Sequence, residues 1–340
     1  MTVITSSPTS PHQGQRPDRR DSTFRRYLLQ YGLLIALLGV SAFFAAMSPT
    51  FLTTANFASI LVNSFALPAI IAIAMTLAVG SGGIDLSVAT AVDLASLAFV
   101  GTLAAGWPVP GAILAGLGAA ALTGIFNGLL ITGLNITPFL ATLGTLFIGR
   151  SVQQVLANGG NPVYLSSSKL PAAVKFLAHG SFLGVPLPLY VVGFIALVAF
   201  ILLELTIFGR GVRAIGARPQ VAYFSGLRVR RDIVWIYLLS AAISGVAGIL
   251  LSATVSAYIP YSGNAFLLNA IGAAFIGTTF GARGHANIIG TILGVLLLAI
   301  VANGLLLVGW NFYWQQVGTG AFIFLILAFS FASKRRQQRA

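Results

Sequence analysis

The chain has 340 residues, of which 57% are hydrophobic and only 7% are charged, and its formal net charge is +13. Soluble globular proteins carry about 25% charged residues, so a water-soluble fold could not cover this much apolar surface. Cysteine is absent, which excludes disulfides, thiolate metal sites and cysteine nucleophiles. Apolar blocks of about 20 residues, the length that crosses a hydrocarbon core of ~30 Å, predict an integral membrane protein.

Residues 1–26 are polar, rich in proline and serine, and end in arginines, which predicts a disordered cytoplasmic tail. Residues 27–333 form the predicted transmembrane domain, and residues 334–340 form a basic cytoplasmic tail. The predicted fold is an all-α membrane protein with about ten transmembrane helices. Their ranges are 27–47, 58–80, 86–105, 111–133, 138–157, 188–208, 234–257, 266–281, 287–308 and 315–333.

Basic residues fall almost entirely on one side when ten spans are drawn. Five lie in the N-terminal tail, six in the 209–233 connection, four in the C-terminal tail, and Arg283 lies on the same side. The opposite side receives only Lys169 and Lys175, and Arg150 lies inside a span. Because cytoplasmic connections are enriched in lysine and arginine, both termini are predicted to be cytoplasmic. The positive charge is thus a topology signal, and no nucleic-acid partner is expected.

Two segments of the chain echo each other. Residues 127–135 read NGLLITGLN and residues 303–311 read NGLLLVGWN, an offset of 176 residues. The copies close the fourth and ninth predicted spans, so the halves that contain them would have opposite orientations. This pattern predicts an inverted repeat of five plus five helices, although abundant Gly and Leu could also produce it by chance. Glycines spaced four apart, in the pairs Gly124/Gly128, Gly277/Gly281 and Gly290/Gly294, predict close helix packing.

The acidic residues inside or beside the spans are Asp85, Asp93 and Glu204. A charge buried in the bilayer costs at least about 2.5 kcal/mol, so each of them needs a partner. Asp93 is predicted to pair with Arg150, and Glu204 is predicted to be an interfacial charge close to Arg210.

Asp85 belongs to a glycine-rich break that reads GSGGIDLS over residues 80–87. Lipid cannot satisfy the backbone groups that such a break frees, so it must face protein or a water-filled path. Asp85 and Ser87 can cap the helix that follows, or they can contact a substrate. The candidate residues of a translocation path are Gly82, Gly83, Asp85, Ser87 and Asn127.

Two connections are large enough to meet other proteins. Residues 215–227 of the basic 209–233 connection predict a short helix at the cytoplasmic surface, with small residues and aromatics beyond what a topology anchor needs. The outer connection, residues 158–187, is polar and contains prolines; it could meet an extracytoplasmic protein or act as a plain connector.

Five motifs occur in a fixed order along the chain. They are GGIDLS (82–87), NGLLITGLNITPFLATLGTLFIGR (127–150), AIGARPQVAYFSGL (214–227), GTTFGARGHANIIGTILG (277–294) and NGLLLVGWNFYWQQVGTG (303–320). Together they resemble the permease subunit of ribose-type sugar ABC importers over nearly the whole chain after the tail. Ala89, Arg218 and Ala282 depart from the usual residues of those motifs.

The resemblance implies a transport subunit rather than an enzyme, located in the bacterial cytoplasmic (inner) membrane and paired with a second copy or a paralogue. A cytoplasmic ABC ATPase would bind the coupling loop, and a periplasmic sugar-binding protein would deliver a monosaccharide. The chain lacks the Gly-x4-Gly-Lys-Ser/Thr motif, so we expect ATP to be bound by the partner and no cofactor or metal in the chain itself. The coupling residues implied are Ala214, Gly216, Arg218, Ala222, Ser225 and Gly226.

Other functions fit the sequence less well. A branched-chain amino acid ABC permease would share the fold, but GGIDLS and the C-terminal motif favour a sugar. An ion-coupled secondary carrier would need a paired acidic relay, which the spans lack. An intramembrane enzyme would need a cluster of His, Asp and Glu or a Ser/His pair, and no such grouping falls within the spans.

Overall fold

A computed structural model describes residues 19–166, 170–280 and 285–337, and these residues are mainly helical. In chain order the helices are α1 (Arg19–Met47), α2 (Thr54–Ser59), α3 (Ala66–Gly80), α4 (Val88–Ala104), α5 (Val109–Gly133), α6 (Pro138–Leu156), α7 (Ala172–His179), α8 (Leu187–Phe200), α9 (Ile207–Ala217), α10 (Pro219–Phe224), α11 (Val229–Val255), α12 (Asn264–Gly277), α13 (Ile288–Leu307) and α14 (Phe312–Gln337). Two π-helical turns, Ile60–Phe65 and Ile201–Leu205, extend α2 into α3 and prolong α8.

Four two-residue strands lie in the connections between helices. They are β1 (Val163–Tyr164), β2 (Ser181–Phe182), β3 (Val185–Pro186) and β4 (Ala257–Tyr258). β2 and β3 form a hairpin, whereas β1 pairs antiparallel with β4 and joins two connections that are distant in sequence.

Each of the ten predicted ranges contains a helix of the structure. Within the described residues, five helices are long and apolar enough to cross a membrane: Thr54–Gly80, Val109–Gly133, Leu187–Leu205, Val229–Val255 and Ile288–Leu307. Three shorter helices are also apolar: Tyr31–Met47, Val88–Ala104 and Asn264–Gly277. The fold is therefore that of an all-α membrane protein, while the count of ten crossings stays a prediction.

Several boundaries differ from those expected. α1 begins at Arg19, inside the residues predicted as tail. The outer connection also contains α7 and three strands rather than irregular loop alone. The predicted cytoplasmic helix at 215–227 is two helices, α9 and α10, which meet at Pro219. Proline breaks the first helix there and starts the second, since its ring suits only a first turn.

α5 and α11 approach each other along two glycines of α5. A Cβ on Gly128 would lie 2.9 Å from Val234 Cα, and a Cβ on Gly124 would lie 2.8 Å from Leu238 Cα. No side chain separates the two helices at these points, as the glycine spacing predicts. α4 packs against the same pair, so α4, α5 and α11 form one compact group.

α12 and α13 pack in the same way. A Cβ on Gly277 would lie 2.9 Å from Thr291 Cα, and one on Gly294 would lie 3.3 Å from Ala273 Cα. Gly290 also faces the Gly277 carbonyl. Gly281, the second member of the predicted Gly277 pair, lies outside the described residues, as do Lys169, Ala282 and Arg283.

α3 occupies the centre of the bundle. Twelve of its fifteen residues are buried, among them every residue from Pro68 to Ala78. It contacts α8, α11, α12 and α13, and most of its side chains are Ala, Ile or Leu. The many alanines of α3 let several neighbouring helices approach it closely, which suits a central position.

Candidate functional site

The glycine-rich break between α3 and α4 forms a tight turn within the bundle. Gly82 adopts φ +83°, a left-handed conformation that glycine reaches without strain. The Gly83 N–H donates to the Ala78 carbonyl at 3.0 Å and closes the end of α3. Asp85 and Ser87 are each only 1% exposed. The break therefore faces protein, one of the two environments that the sequence allowed.

The Asp85 carboxylate accepts three hydrogen bonds. Oδ1 accepts from the Ser87 backbone N–H at 3.0 Å and from the Ser87 hydroxyl at 2.5 Å. Oδ2 accepts from the Ser240 hydroxyl of α11 at 2.8 Å. These donors replace water around a carboxylate that would otherwise be costly to bury. The N–H that Asp85 accepts belongs to Ser87, the N-cap residue of α4, and not to the first turn of the helix. The Ser87 side chain makes no cap hydrogen bond, so the predicted capping of that turn by these two side chains is not observed.

Asn127 of α5 extends this hydrogen-bond network towards α6. Its Nδ2 donates to Ser87 Oγ at 2.7 Å, and its Oδ1 accepts from the Thr145 hydroxyl at 2.6 Å. Asn127 is completely buried. We call the hydrogen-bonded residues Asp85, Ser87, Asn127, Thr145 and Ser240 the Asp85 network. Ser240 and Thr145 carry no sequence signal of their own, because single hydroxyl residues are common in membrane helices.

The two residues before Asp85 contact α6 and α11 directly. A Cβ on Gly83 would lie 2.6 Å from Tyr237 Oη and 3.0 Å from Pro138 Cβ. The Ile84 carbonyl accepts a hydrogen bond from the Thr142 hydroxyl at 3.1 Å. All five candidate path residues thus lie together at the α3–α4 break or bonded to it, and four of them are buried.

The coupling residues divide into a buried and an exposed set. Ala222 is buried, and Gly216 packs against the α3–α4 break, where a Cβ would lie 3.1 Å from Gly82 N. Arg218, Ser225 and Gly226 are exposed, and Ala214 is half-buried.

α10 exposes three apolar side chains that the sequence analysis did not single out as coupling residues. Val221 is 56% exposed, Tyr223 is 64% exposed and Phe224 is 86% exposed. They form, with exposed Arg218 and Arg228, an apolar patch with basic neighbours, which we call the α10 surface. An exposed apolar patch rimmed by polar residues marks a surface that contacts either a protein or the membrane interface.

Glu204 forms an ion pair with an arginine that the sequence analysis did not name. Its Oε2 lies 2.7 Å from Nη1 of Arg213, so the ion pair joins the end of the α8 segment to α9. Arg210, the predicted neighbour, is exposed. Arg213 lies about two turns into α9, which begins at Ile207 directly after the α8 segment, and from there its side chain reaches Glu204.

The predicted pairing of Asp93 with Arg150 is wrong. Asp93 Oδ1 accepts from the Gly263 N–H at 2.8 Å and from the Ser262 hydroxyl at 3.2 Å. Arg150 is exposed, and its guanidinium lies 5.6 Å from the centre of the Phe147 ring. The connection before α12 folds back onto α4 and supplies Asp93 with neutral donors, which no sequence spacing could show.

Gln153 of α6 anchors the same connection. Its Oε1 accepts from the Tyr258 hydroxyl at 3.0 Å and from the Tyr261 N–H at 3.2 Å. Tyr258 belongs to β4, and it is fully buried. The pairing of β4 with β1 therefore links residues 158–187 to the α11–α12 connection, and Tyr258 ties both to the interior of the bundle.

One cavity of about 330 Å³ lies between α4, α5 and α6. Its walls are apolar apart from the hydroxyl side chains Thr90, Thr123 and Thr145. None of the five candidate path residues lines it. In the ranges that the structure describes, no three His, Asp or Glu residues are grouped so that they could hold a metal ion.

An all-α bundle with several long apolar helices defines a multi-pass membrane protein. Residues 56–327 match the family described as "Branched-chain amino acid transport system / permease component". That match covers well over half of the chain, and the protein belongs to this family.

Curated relatives are sugar permeases. The chain is 34% identical over 294 residues to the "Ribose import permease protein RbsC" of Bacillus subtilis, covering 86% of this chain and 89% of the relative. It is 33% identical over 313 residues to the "Galactose/methyl galactoside import permease protein MglC" of Haemophilus influenzae, covering 88% and 92%. It is 30% identical over 322 residues to the "D-allose transport system permease protein AlsC" of Escherichia coli, covering 94% and 97%. The resemblance drawn from the five motifs is confirmed.

Proposed function

We propose that this protein is the transmembrane permease subunit of an ATP-binding-cassette importer that translocates a monosaccharide. The observation that carries the proposal is its similarity, along almost the whole chain, to permeases named for ribose, galactose and allose. The family description names branched-chain amino acids, but these relatives import sugars and favour the sugar over the amino acid. They also favour an ATP-driven importer over an ion-coupled carrier.

In the membrane, the proposed arrangement is ten crossings with both termini in the cytoplasm, built as two inverted halves of five helices. The distribution of arginines supports the orientation. The repeated segments support the two halves, since they end α5 and α13, helices that are five crossings apart. The polar residues before α1 and the basic residues that end the chain would then be cytoplasmic.

The cytoplasmic ATPase is proposed to bind α9 and the α10 surface. Phe224 is the most exposed aromatic residue of that surface, and Arg218 and Arg228 flank it with positive charge. The chain has no nucleotide-binding motif of its own, so ATP would be bound and hydrolysed by that partner, and the permease needs no cofactor.

On the opposite side, the proposed partner is a periplasmic sugar-binding protein. Tyr164 of β1, Phe182 of β2 and Leu183 in the β2–β3 turn are 73%, 61% and 85% exposed. They lie on the outer connection and could contact a soluble protein. A second copy of the permease or a paralogue would complete the importer, with lipid around the remaining apolar faces.

The five candidate path residues, Gly82, Gly83, Asp85, Ser87 and Asn127, stay a prediction as residues that line the path. The polar groups of Asp85 and Asn127 are already hydrogen-bonded to other helices. This supports a role next to the path more than direct contact with the sugar.

Uptake by the complete importer tests the proposal. The permease, its ATPase and its binding protein would be reconstituted in vesicles and supplied with radiolabelled ribose, galactose, allose or leucine. We expect one of the sugars to accumulate only when ATP is present on the ATPase side. Accumulation of leucine, or sugar uptake driven by an ion gradient without ATP, would overturn it.

Docking of the ATPase is tested separately with two matched variants. Phe224→Asp and Leu183→Asp both place a charge at an apolar residue of nearly equal exposure, 86% and 85%, on opposite sides of the bundle. Phe224→Asp should weaken binding of the ATPase by about thirtyfold or more and so reduce its co-purification, because hot-spot aromatics at interfaces contribute ~2 kcal/mol or more. Leu183→Asp should leave co-purification unchanged. Equal ATPase recovery with both variants would contradict docking at the α10 surface.

A further inference from the structure

Consecutive residues of the α3–α4 break are attached to different helices. Gly82 contacts α9, Gly83 contacts α6 and α11, and the Ile84 carbonyl bonds to α6. Asp85 bonds to α11, and Ser87 bonds to α5. We call residues 82–87 the joint. Such a concentration of contacts on six residues exceeds what a turn between two helices needs, because the turn is already closed by its own backbone hydrogen bonds.

The contact between the joint and α9 is made by backbone on both sides. A Cβ on Gly216 would overlap the Gly80 carbonyl oxygen and would lie 3.1 Å from Gly82 N. From the other side, a Cβ on Gly82 would lie 3.2 Å from the Gly216 carbonyl oxygen. No flexible side chain lies between the two segments. Because packed protein interiors are hardly compressible, a displacement of the C-terminal turn of α9 must move the joint.

The far side of the joint is held by short hydrogen bonds. The Ile84 carbonyl accepts from Thr142 of α6 at 3.1 Å. Asp85 accepts from Ser240 of α11 at 2.8 Å, and Ser87 accepts from Asn127 of α5 at 2.7 Å. The joint therefore connects α9 with three long helices of the bundle.

We propose that the joint transmits the movement of α9 to α5, α6 and α11. Ser240, which bonds to Asp85 of the joint, and Thr145, which bonds to Asn127 and so fixes the donor to Ser87, are then positioning residues for transport. This inference rests on the proposed function, in which the ATPase moves α9. It also gives the Asp85 network a role that does not require contact with the sugar.

Ser240 is the sharpest point to test. It makes the hydrogen bond from α11 to the Asp85 carboxylate, and it is fully buried. Ser244, one turn further along α11, is equally buried, but its hydroxyl bonds only to the Ser240 carbonyl of the same helix, at 2.9 Å. Ser240→Ala and Ser244→Ala therefore each remove one serine hydroxyl from α11, and only Ser240→Ala removes a hydrogen bond to the joint.

A second pair of variants addresses α6. Thr145→Val removes the hydroxyl that donates to Asn127 at 2.6 Å while keeping the shape of the side chain. Thr123→Val removes a hydroxyl that bonds only to the Ala119 carbonyl within α5, at 3.2 Å. These two variants keep the test decisive if Ser240→Ala does not fold.

The experiment measures distances at both ends of the bundle in the complete permease–ATPase complex. The chain has no cysteine, so spin labels can be placed by two cysteine substitutions alone. An inner pair at Arg210 and Leu134 reports the position of α9, and an outer pair at Trp107 and Leu156 reports the opposite end of α4–α6; all four residues are exposed. Labelled chains are diluted into unlabelled ones, and pulsed EPR compares the nucleotide-free complex with the complex trapped by ATP and vanadate.

In the wild-type chain, both pairs should change distance on trapping. In Ser240→Ala and Thr145→Val, the inner pair should still move, while the change at the outer pair should fall to half or less and ATP-driven uptake of the transported sugar should fall about tenfold. The controls Ser244→Ala and Thr123→Val should match the wild type.

The proposal would be overturned if the distance between the outer labels changed as much in both Ser240→Ala and Thr145→Val as in the wild type. It would also be overturned if the controls lost this distance change to the same extent. If the inner pair of the wild-type chain does not move on trapping, the docking of the ATPase on α9 is wrong instead. The two failures are therefore distinguishable.

Discussion

Gly124→Ala is the substitution whose effect on stability follows most directly from the packing of α5 on α11. The added Cβ would lie 2.8 Å from both Leu238 Cα and Ala241 Cβ, and it would overlap the Tyr237 carbonyl oxygen. Ordinary contact begins at 3.4 Å, so α5 and α11 must separate by at least about 0.6 Å to relieve the two 2.8 Å contacts, and by more to relieve the overlap with the Tyr237 carbonyl. Neither helix can give way locally, since the obstructing atoms are backbone or Cβ.

The expected cost is about 1–3 kcal/mol, the usual range for overpacking a filled interior. The matched control is Gly118→Ala on the same helix, where an added Cβ would meet no atom within 4 Å. Alanine is the better helix former, so the control should be neutral or slightly stabilising.

The assay is thermal unfolding of the purified permease in detergent, with both variants measured at the same protein and detergent concentrations. Gly124→Ala should melt about 2–6 °C below Gly118→Ala. Equal melting temperatures would refute the reasoning, because they would mean that α5 and α11 do not touch through backbone at Gly124.

Three further predictions concern topology and single interactions. Leu183 and Phe224 are 85% and 86% exposed. A cysteine at Leu183 should react with a membrane-impermeant maleimide added outside, and a cysteine at Phe224 should react only with one added on the cytoplasmic side. Labelling of both cysteines from one side would contradict the predicted orientation. Arg213→Gln removes the partly exposed ion pair with Glu204 and should change the free energy of unfolding by less than about 1 kcal/mol. A larger loss, measured by denaturant unfolding, would show that this ion pair stabilises the protein more than surface ion pairs usually do. Tyr258→Phe removes one of two donors to Gln153 Oε1, since the Tyr261 N–H also donates to it, and should cost about 0.5–1.5 kcal/mol in the same assay. Unchanged stability would mean that the Tyr258 hydroxyl contributes nothing there.

Local patterns in the sequence predicted much of the fold. Helices in the ten ranges follow from apolar blocks, since the number of consecutive apolar residues needed to cross a bilayer is a property of the chain alone. The glycine pairs predicted where backbones would touch, and the break at 80–87 predicted a segment that faces either protein or a water-filled path. The order of five motifs was sufficient to recognise the family.

Pairing between distant residues was decided only by the tertiary structure. The expected Asp93–Arg150 ion pair does not form, because the Asp93 carboxylate instead accepts a hydrogen bond from Gly263 in the connection before α12, 170 residues further along the chain. Ser240 likewise donates a hydrogen bond to the Asp85 carboxylate although the two residues are 155 positions apart in the sequence.

The sequence by itself thus determined that this protein is a helical membrane permease, because length, hydrophobicity and motif order are local properties. Only the tertiary structure decided which serine holds Asp85 and that Gly216 rests on Gly82, because such contacts depend on how helices pack, and packing is set by all of their side chains together.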